Sequence, residues 1–164
     1  GAPVALFWTL YHVLAHSLIK ALLFFSAGIL KNQYESTYLQ DMQAALKLQP
    51  LAAWGVIIGS LAVVGMPPFP IFFSKLFILV KLGGVSLPVL IVVLVLLLIV
   101  AAALAYLLIH AFTQPGKNTL KPYRVDWTMK LPIMVLFAGI IGITVYLAFG
   151  LSGILNTLTA SLGF

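Results

Sequence analysis

Three ionisable side chains occur at a regular four-residue spacing inside an apolar stretch near the start of the sequence. His12, His16 and Lys20 stand at positions i, i+4 and i+8 of a run from about residue 4 to residue 30. In an α-helix, successive members would lie about 6 Å apart along the axis and about 40° apart around it. The spacing therefore predicts one stripe of titratable groups along a single helix.

This stripe has the chemistry of a proton path. A charged lysine near the centre of a bilayer costs roughly 2.5 to 3.5 kcal/mol on insertion scales, and Lys20 lies too deep in its apolar run to reach the surface easily. Imidazoles change protonation near neutral pH, and burial disfavours the charged form of an amine, so the stripe could pass protons between its members. The alternative is that the three side chains only hydrogen-bond to neighbouring helices. Their facial spacing favours the ion path.

The residues of the stripe resemble a motif of a known membrane-protein family. Residues 12–28 are similar to the HxxxHxxxKALLFxxxG segment of antiporter-like subunits in respiratory complex I, group 4 membrane-bound hydrogenases and Mrp antiporters. A second segment, with GMPPF at residues 65–69 and FSK at residues 73–75, is similar to that family's GxPPxxGFxSK signature. Two motifs in the family's order make the resemblance specific. Ile71 departs from the signature's glycine, which leans toward the hydrogenase-type relatives.

The resemblance implies roles for four residues. In the family, the lysine matching Lys20 is the central station of a half-channel, the histidines matching His12 and His16 connect along it, and the residue matching Lys75 leads to the exit. The family's other half-channel depends on a glutamate and a lysine on earlier helices, and neither has a match here. We therefore expect this chain to provide half of a path.

The apolar runs predict an all-α, polytopic transmembrane bundle of about five membrane helices, one of them interrupted. Pro67 and Pro68 lack amide donors and restrict the residue before each ring, so a turn or kink there is close to obligatory; Gly83-Gly84 is the other candidate for the break. Gly55 and Gly59 predict close helix contact. The expected membrane helices cover about residues 4–30, 50–66, 69–82, 87–111 and 131–150, with a short interfacial helix over 38–48.

Composition excludes several classes of protein. With 63% hydrophobic and 7% charged residues, the chain cannot be an ordinary soluble domain. Its nine basic residues are scattered at segment ends, which does not suggest a nucleic-acid partner. The absence of cysteine removes disulfides and iron–sulfur ligation, so any redox centre is expected in another subunit. We expect no cofactor, metal or catalytic centre in this chain.

Domain organisation and orientation follow from the same segments. We interpret residues 1–164 as a single transmembrane domain that resembles the last five helices of a roughly fourteen-helix subunit, with a beginning that is trimmed or processed, since Gly1 is not preceded by Met. If all five segments cross the membrane, the loop at 114–130 lies on the same side as the N-terminus. That side then carries four basic residues, and the opposite side carries three.

The sequence thus predicts an ion-translocating membrane subunit, moving protons or sodium ions, of a redox-driven oxidoreductase complex of the complex I or hydrogenase type. Expected partners are other membrane subunits, the lipid bilayer and, indirectly, a peripheral redox arm, in a bacterial or archaeal cell membrane. Alternatives are a structural or assembly remnant of a split antiporter module, or a subunit of an Mrp-type sodium/proton antiporter. The three carboxylates lie in loops, so Lys20 and Lys75 need a counter-ion from a partner segment or remain neutral.

Overall fold

The chain folds as a bundle of helices. The computed structural model describes residues 2–38, 42, 44–113 and 121–162, with the side chains of residues 2–5, 110, 111, 113, 147–149, 151, 152 and 154–162 left undescribed. The described residues form six helices and no strand: α1 (Ala2–Tyr34), α2 (Ala45–Leu48), α3 (Pro50–Val64), α4 (Pro70–Val85), α5 (Leu87–Thr113) and α6 (Trp127–Leu162). The predicted all-α class is confirmed.

Three helices are long and apolar enough to cross a membrane. They contain the segments Leu6–Tyr34, Leu87–Ile109 and Trp127–Tyr146, which belong to α1, α5 and α6. None of the most apolar window of α5 is buried within the chain, as expected of a helix that faces lipid or a partner. The helices α3 and α4 have 15 and 16 residues. At about 1.5 Å per residue each is roughly 22 to 24 Å long, shorter than a hydrocarbon core of about 30 Å.

The first helix is the centre of the bundle, and α3, α4 and α6 pack against it. Its contact with α3 is especially close, because the side of α3 that faces it carries glycine. A Cβ atom placed on Gly55 would overlap the side chain of Ser26, and one on Gly59 would lie 2.8 Å from Leu23 Cδ2. The close helix contact predicted for these glycines is therefore present. The fully buried aliphatic side chains of the core come from three helices: Ile19 and Leu22 of α1, Ile71 of α4 and Ile133 of α6 are among them.

Helices α3 and α4 follow one another along α1 and together form one interrupted crossing. As residue numbers rise through α3 and α4, the residues of α1 that they contact fall in number. The contacting pairs are Gly55 with Ser26, Gly59 with Leu23, Ser74 with His12, and Phe77 with Trp8. Both short helices thus run antiparallel to α1. Pro67 and Pro68 lie between the end of α3 and the start of α4.

This collinear arrangement sets the orientation of the rest of the chain. Gln33 at the end of α1 and Gln49 before α3 are buried, and both hold the segment that leads into α6. Gln33 Nε2 donates to Lys121 O at 2.9 Å, Gln49 Nε2 donates to Tyr123 O at 2.7 Å, and Gln49 Nε2 also donates to Gln33 Oε1 at 2.8 Å. Residues 121–125 therefore lie at the end of the bundle where α1 ends, opposite the N-terminus.

The expectation that residues 114–130 share a side with the N-terminus is wrong for the described part of that loop; residues 114–120 lie outside the described residues. That expectation treats α3 and α4 as two crossings, whereas they share one, which reverses every later segment. In this topology, the basic residues are distributed unevenly between the two ends of the bundle. Lys81 stands near the N-terminal end of the bundle, and the described residues of the opposite end carry five: Lys31, Lys47, Lys121, Arg124 and Lys130.

The interfacial helix is shorter than the sequence predicts. Helical structure covers only Ala45–Leu48, and Ala44 before it adopts a left-handed conformation with φ of 57°. A continuous helix cannot pass through that backbone conformation. Residues 39–41 and 43, which also fall in the predicted helix, lie outside the described residues. Pro50 occupies the first turn of α3, where its missing amide hydrogen is not needed.

Candidate functional site

The candidate site is built around the break between α3 and α4. Helix α3 ends at Gly65, whose φ of 86° is left-handed and suits glycine. The amide groups of Gly65 and Met66 donate to Ala62 O and Leu61 O, both at 3.1 Å. Two of the four carbonyl groups that a helix leaves without intrahelical donors at its C-terminal end are satisfied in this way. The remaining two belong to Val63 and Val64.

Lys75 binds these two carbonyl groups. Its Nζ donates to Val63 O and to Val64 O, each at 2.9 Å, across the break from α4 back to the end of α3. The C-terminal end of a helix carries partial negative charge, so it attracts an ammonium group. Lys75 thus has backbone acceptors within the chain, and the expectation that it takes a counter-ion from a partner segment or remains neutral stays a prediction.

The two histidines of α1 lie beside this break. His12 Nδ1 is 2.8 Å from Ser74 Oγ, which also donates to Ile71 O at 3.0 Å. The rings of His12 and His16 are stacked, with centroids 5.8 Å apart and an interplanar angle of 19°. Both side chains are half-buried, and both lie within electrostatic range of Lys75.

Lys20 lies one turn further along α1, within electrostatic range of His16. Its side chain is exposed in the single chain and lines a cavity of about 360 Å³ between α1, α3 and α5. The other walls are mostly apolar, with Leu23, Leu104 and Leu107 among them and Ser60 as a polar member. This leaves Lys20 open to a group that approaches from outside the chain.

The structure therefore brings together all four residues that the sequence proposes for a relay. His12, His16 and Lys20 share one continuous helix, and Lys75 of α4 lies within electrostatic range of the two histidines. No group of three or more His, Cys, Asp or Glu side chains within the described residues could hold a metal ion. The assembled chemistry is that of amines and imidazoles, which exchange protons.

Two components of the site carry no signal that sequence reasoning used. Ser74 belongs to the FSK motif, yet its bond to His12 depends on how α4 docks on α1. The carbonyl groups of Val63 and Val64 are backbone atoms, so no residue type marks them as ligands of Lys75. A glycine followed by two prolines marks the end of α3, and could have drawn attention to its free carbonyl groups.

Comparisons with known proteins concern mainly the same part of the chain. Residues 5–101, more than half of the chain, match the family described as NADH:quinone oxidoreductase/Mrp antiporter, TM. This region contains every helix of the site, from α1 through α4. No solved structure matches the chain significantly.

Individual relatives include membrane proteins of three kinds. The chain is 32% identical to the hydrogenase-4 component F homolog of Methylacidiphilum infernorum over 48% of its length and 17% of that protein. It is 28% identical to NADH-quinone oxidoreductase subunit N of Desulforudis audaxviator over 86% of its length and 31% of that protein. It is 35% identical to a subunit of the Na+/H+ antiporter of Alkalihalophilus pseudofirmus over 44% of its length and 15% of that protein. The chain thus spans less than a third of each of these relatives.

Proposed function

Because this chain belongs to the NADH:quinone oxidoreductase/Mrp antiporter transmembrane family, we propose that it carries part of a proton path through a membrane. The path consists of Lys20, His16 and His12 on α1 and Lys75 on α4. One observation carries the proposal: Lys75 Nζ is held at the break, 2.9 Å from Val63 O and Val64 O, next to Ser74, whose Oγ lies 2.8 Å from His12 Nδ1.

The charges of the cluster favour sequential transfer. Four basic groups lie near one another, and within the described residues the carboxylates Glu35 and Asp126 are near the opposite end of α1 from His12. Like charges at short distance disfavour simultaneous protonation, so a proton arriving at one group promotes release from its neighbour. The ring centroids of His12 and His16 are 5.8 Å apart, a separation that a bridging water molecule would close for the transfer.

The ligand chemistry favours protons over sodium ions. A hard cation takes oxygen ligands, but the carbonyl oxygen atoms at the break, Val63 O and Val64 O, are already bound by Lys75. The amine and imidazole groups of the cluster would repel a metal cation when protonated. The 35% identity to a component of a Na+/H+ antiporter keeps sodium as the second candidate ion. Sodium dependence of transport therefore belongs in the functional test.

We infer that the chain works inside a larger membrane assembly. Its relatives are named as subunits or components, and it covers a minority of their length. Residues 1–164 then act as one transmembrane domain that supplies one half of a path, with the rest supplied by neighbouring membrane segments and the driving reaction by a peripheral redox arm. By the positive-inside rule, the end of the bundle with Lys31 and Arg124 faces the cytoplasm of a cell whose plasma membrane holds the complex.

The test is a pair of lysine substitutions in the parent complex, reconstituted into vesicles with a pH-sensitive dye. Lys20→Ala and Lys75→Ala should each abolish or sharply lower proton movement. Lys81→Ala is the matched control, since it removes a lysine from the far end of α4, outside the cluster. Assembly is checked by the amount of intact complex. The effect of Lys20→Ala should be the cleaner, because the Lys20 side chain is exposed and, among the residues that the structure describes, forms no hydrogen bond with another helix.

Each outcome has a definite meaning. Normal proton movement by an assembled complex with Lys20→Ala would contradict the proposed relay and favour a role of this chain in assembly alone. Proton movement by the unaltered complex that appears only when sodium is present would make sodium the transported ion. Proton movement that a lysine variant loses and that added sodium restores would lead to the same conclusion. Equal losses in the Lys81→Ala complex would show that any change of charge disturbs the assembly, and would contradict a specific path through Lys20.

A further inference from the structure

Ser74 links the two helices of the site through a single hydroxyl group. The residue is fully buried on the face of α4 that meets α1. Its Oγ lies 2.8 Å from His12 Nδ1 and 3.0 Å from Ile71 O. A serine hydroxyl has one hydrogen to donate and two lone pairs to accept with. Only one of these two contacts can therefore use the serine hydrogen.

Counting hydrogen atoms selects one arrangement. If the hydroxyl donates to Ile71 O, His12 must carry its proton on Nδ1 and donate to Ser74 Oγ, and both contacts are hydrogen bonds. If the hydroxyl donates to His12 Nδ1, the contact with Ile71 O is lost. The first arrangement has one more hydrogen bond in a buried position, so it is the more stable. The bond made by one imidazole nitrogen fixes which nitrogen holds the proton.

We propose that Ser74 is a positioning residue that keeps the Nδ1–H tautomer of His12 and leaves Nε2 as the atom that takes up and releases the proton. The bond from Nδ1–H to Ser74 Oγ has the same geometry in the neutral and the doubly protonated ring. The serine therefore holds the ring still through a transfer cycle. It also closes the Nδ1 side, so that protons move along the α1 stripe and do not leak toward the first turn of α4.

This inference rests on the proposed proton path only for its effect on transport, since the tautomer is a property of the contact itself. The first measurement is the nitrogen-15 spectrum of histidine in the labelled membrane complex, with the His12 signal identified by its loss in His12→Gln. Unaltered complex should show His12 with its neutral proton on Nδ1. Ser74→Ala should move the ratio of the two tautomers roughly 2- to 12-fold toward Nε2–H, the equilibrium equivalent of one net hydrogen bond.

The second measurement is proton movement in the same complexes. Ser74→Ala should slow it by less than that factor, because the rate follows the fraction of the Nδ1–H tautomer and not the ratio. Ser74→Cys, which keeps the volume but accepts hydrogen bonds weakly, should also slow it. Ser17→Ala is the matched control: Ser17 lies on α1 near both histidines, is exposed, and donates to its own helix at Val13 O. It should leave both the tautomer ratio and the transport rate unchanged.

The two readouts separate this inference from the proposed function. An unchanged His12 tautomer in Ser74→Ala overturns the positioning role whatever happens to transport. A shifted tautomer with undiminished transport, in a complex where His12→Gln blocks transport, overturns the claim that Nε2 must be kept free. A shifted tautomer in a complex whose transport tolerates both His12→Gln and Lys20→Ala leaves the hydrogen bond standing and overturns the proton path.

Discussion

Replacing Gly65 by alanine should loosen the break at the centre of the site. The φ of 86° at Gly65 is left-handed, and an L-residue with a Cβ atom pays about 1 to 2 kcal/mol there. The new Cβ would lie 3.0 Å from Lys75 Cδ, so the lysine side chain must also shift away from the end of α3. Gly84→Ala is the matched control, because Gly84 lies inside α4 with no atom within 4 Å of the added Cβ.

The two substitutions should have opposite signs. In the helix, Gly84→Ala should stabilise by about 0.5 to 1 kcal/mol, so the variants should differ by roughly 1.5 to 3 kcal/mol in the free energy of unfolding. Denaturant titration in detergent, followed by tryptophan fluorescence, measures the difference. Transport by the parent complex should fall for Gly65→Ala and persist for Gly84→Ala. A Gly65→Ala chain at least as stable as Gly84→Ala would refute the reasoning about the left-handed cap.

Three further predictions concern packing and topology. Gly55→Ala should destabilise the chain by about 1 to 3 kcal/mol because its Cβ would overlap α1, whereas Gly28→Ala, with open space around it, should not; the same titration compares them. Gln49→Ala should cost about 1 to 3 kcal/mol by removing two hydrogen bonds of a buried side chain, and a Gln49→Ala chain as stable as the original would contradict the role of that network. Since the chain has no cysteine, Arg124→Cys and Lys31→Cys should react with a membrane-impermeant thiol reagent from the same side; labelling from opposite sides would rule out the collinear α3 and α4.

The titratable stripe could be predicted because it is local. His12, His16 and Lys20 lie on one helix, and helical periodicity alone places them on one side of it. The apolar runs likewise identify α1, α5 and α6, since length and composition suffice for a membrane helix. Gly55 and Gly59 could be assigned to a helix contact because small residues allow backbones to approach closely.

The path of the chain through α3 and α4 could not be predicted in the same way. Two short apolar helices joined at Pro67 and Pro68 can either reverse or continue in the same direction, and local sequence does not decide between these. The decision comes from long-range contacts: Gly55 against Ser26 at one end and Phe77 against Trp8 at the other. The inverted orientation of residues 121–125 follows from that single step.

The break and Lys75 are best understood as a matched pair. A helix that ends inside an apolar bundle leaves carbonyl groups without donors, and each such group is costly where no water is available. A lysine at the same depth is costly for the opposite reason, because its ammonium lacks acceptors. Joined at 2.9 Å, the carbonyl groups of Val63 and Val64 and the Lys75 ammonium remove each other's cost. In its charged form, Lys75 therefore has two acceptors at the break without a carboxylate, which is a condition that the proposed relay of basic groups requires.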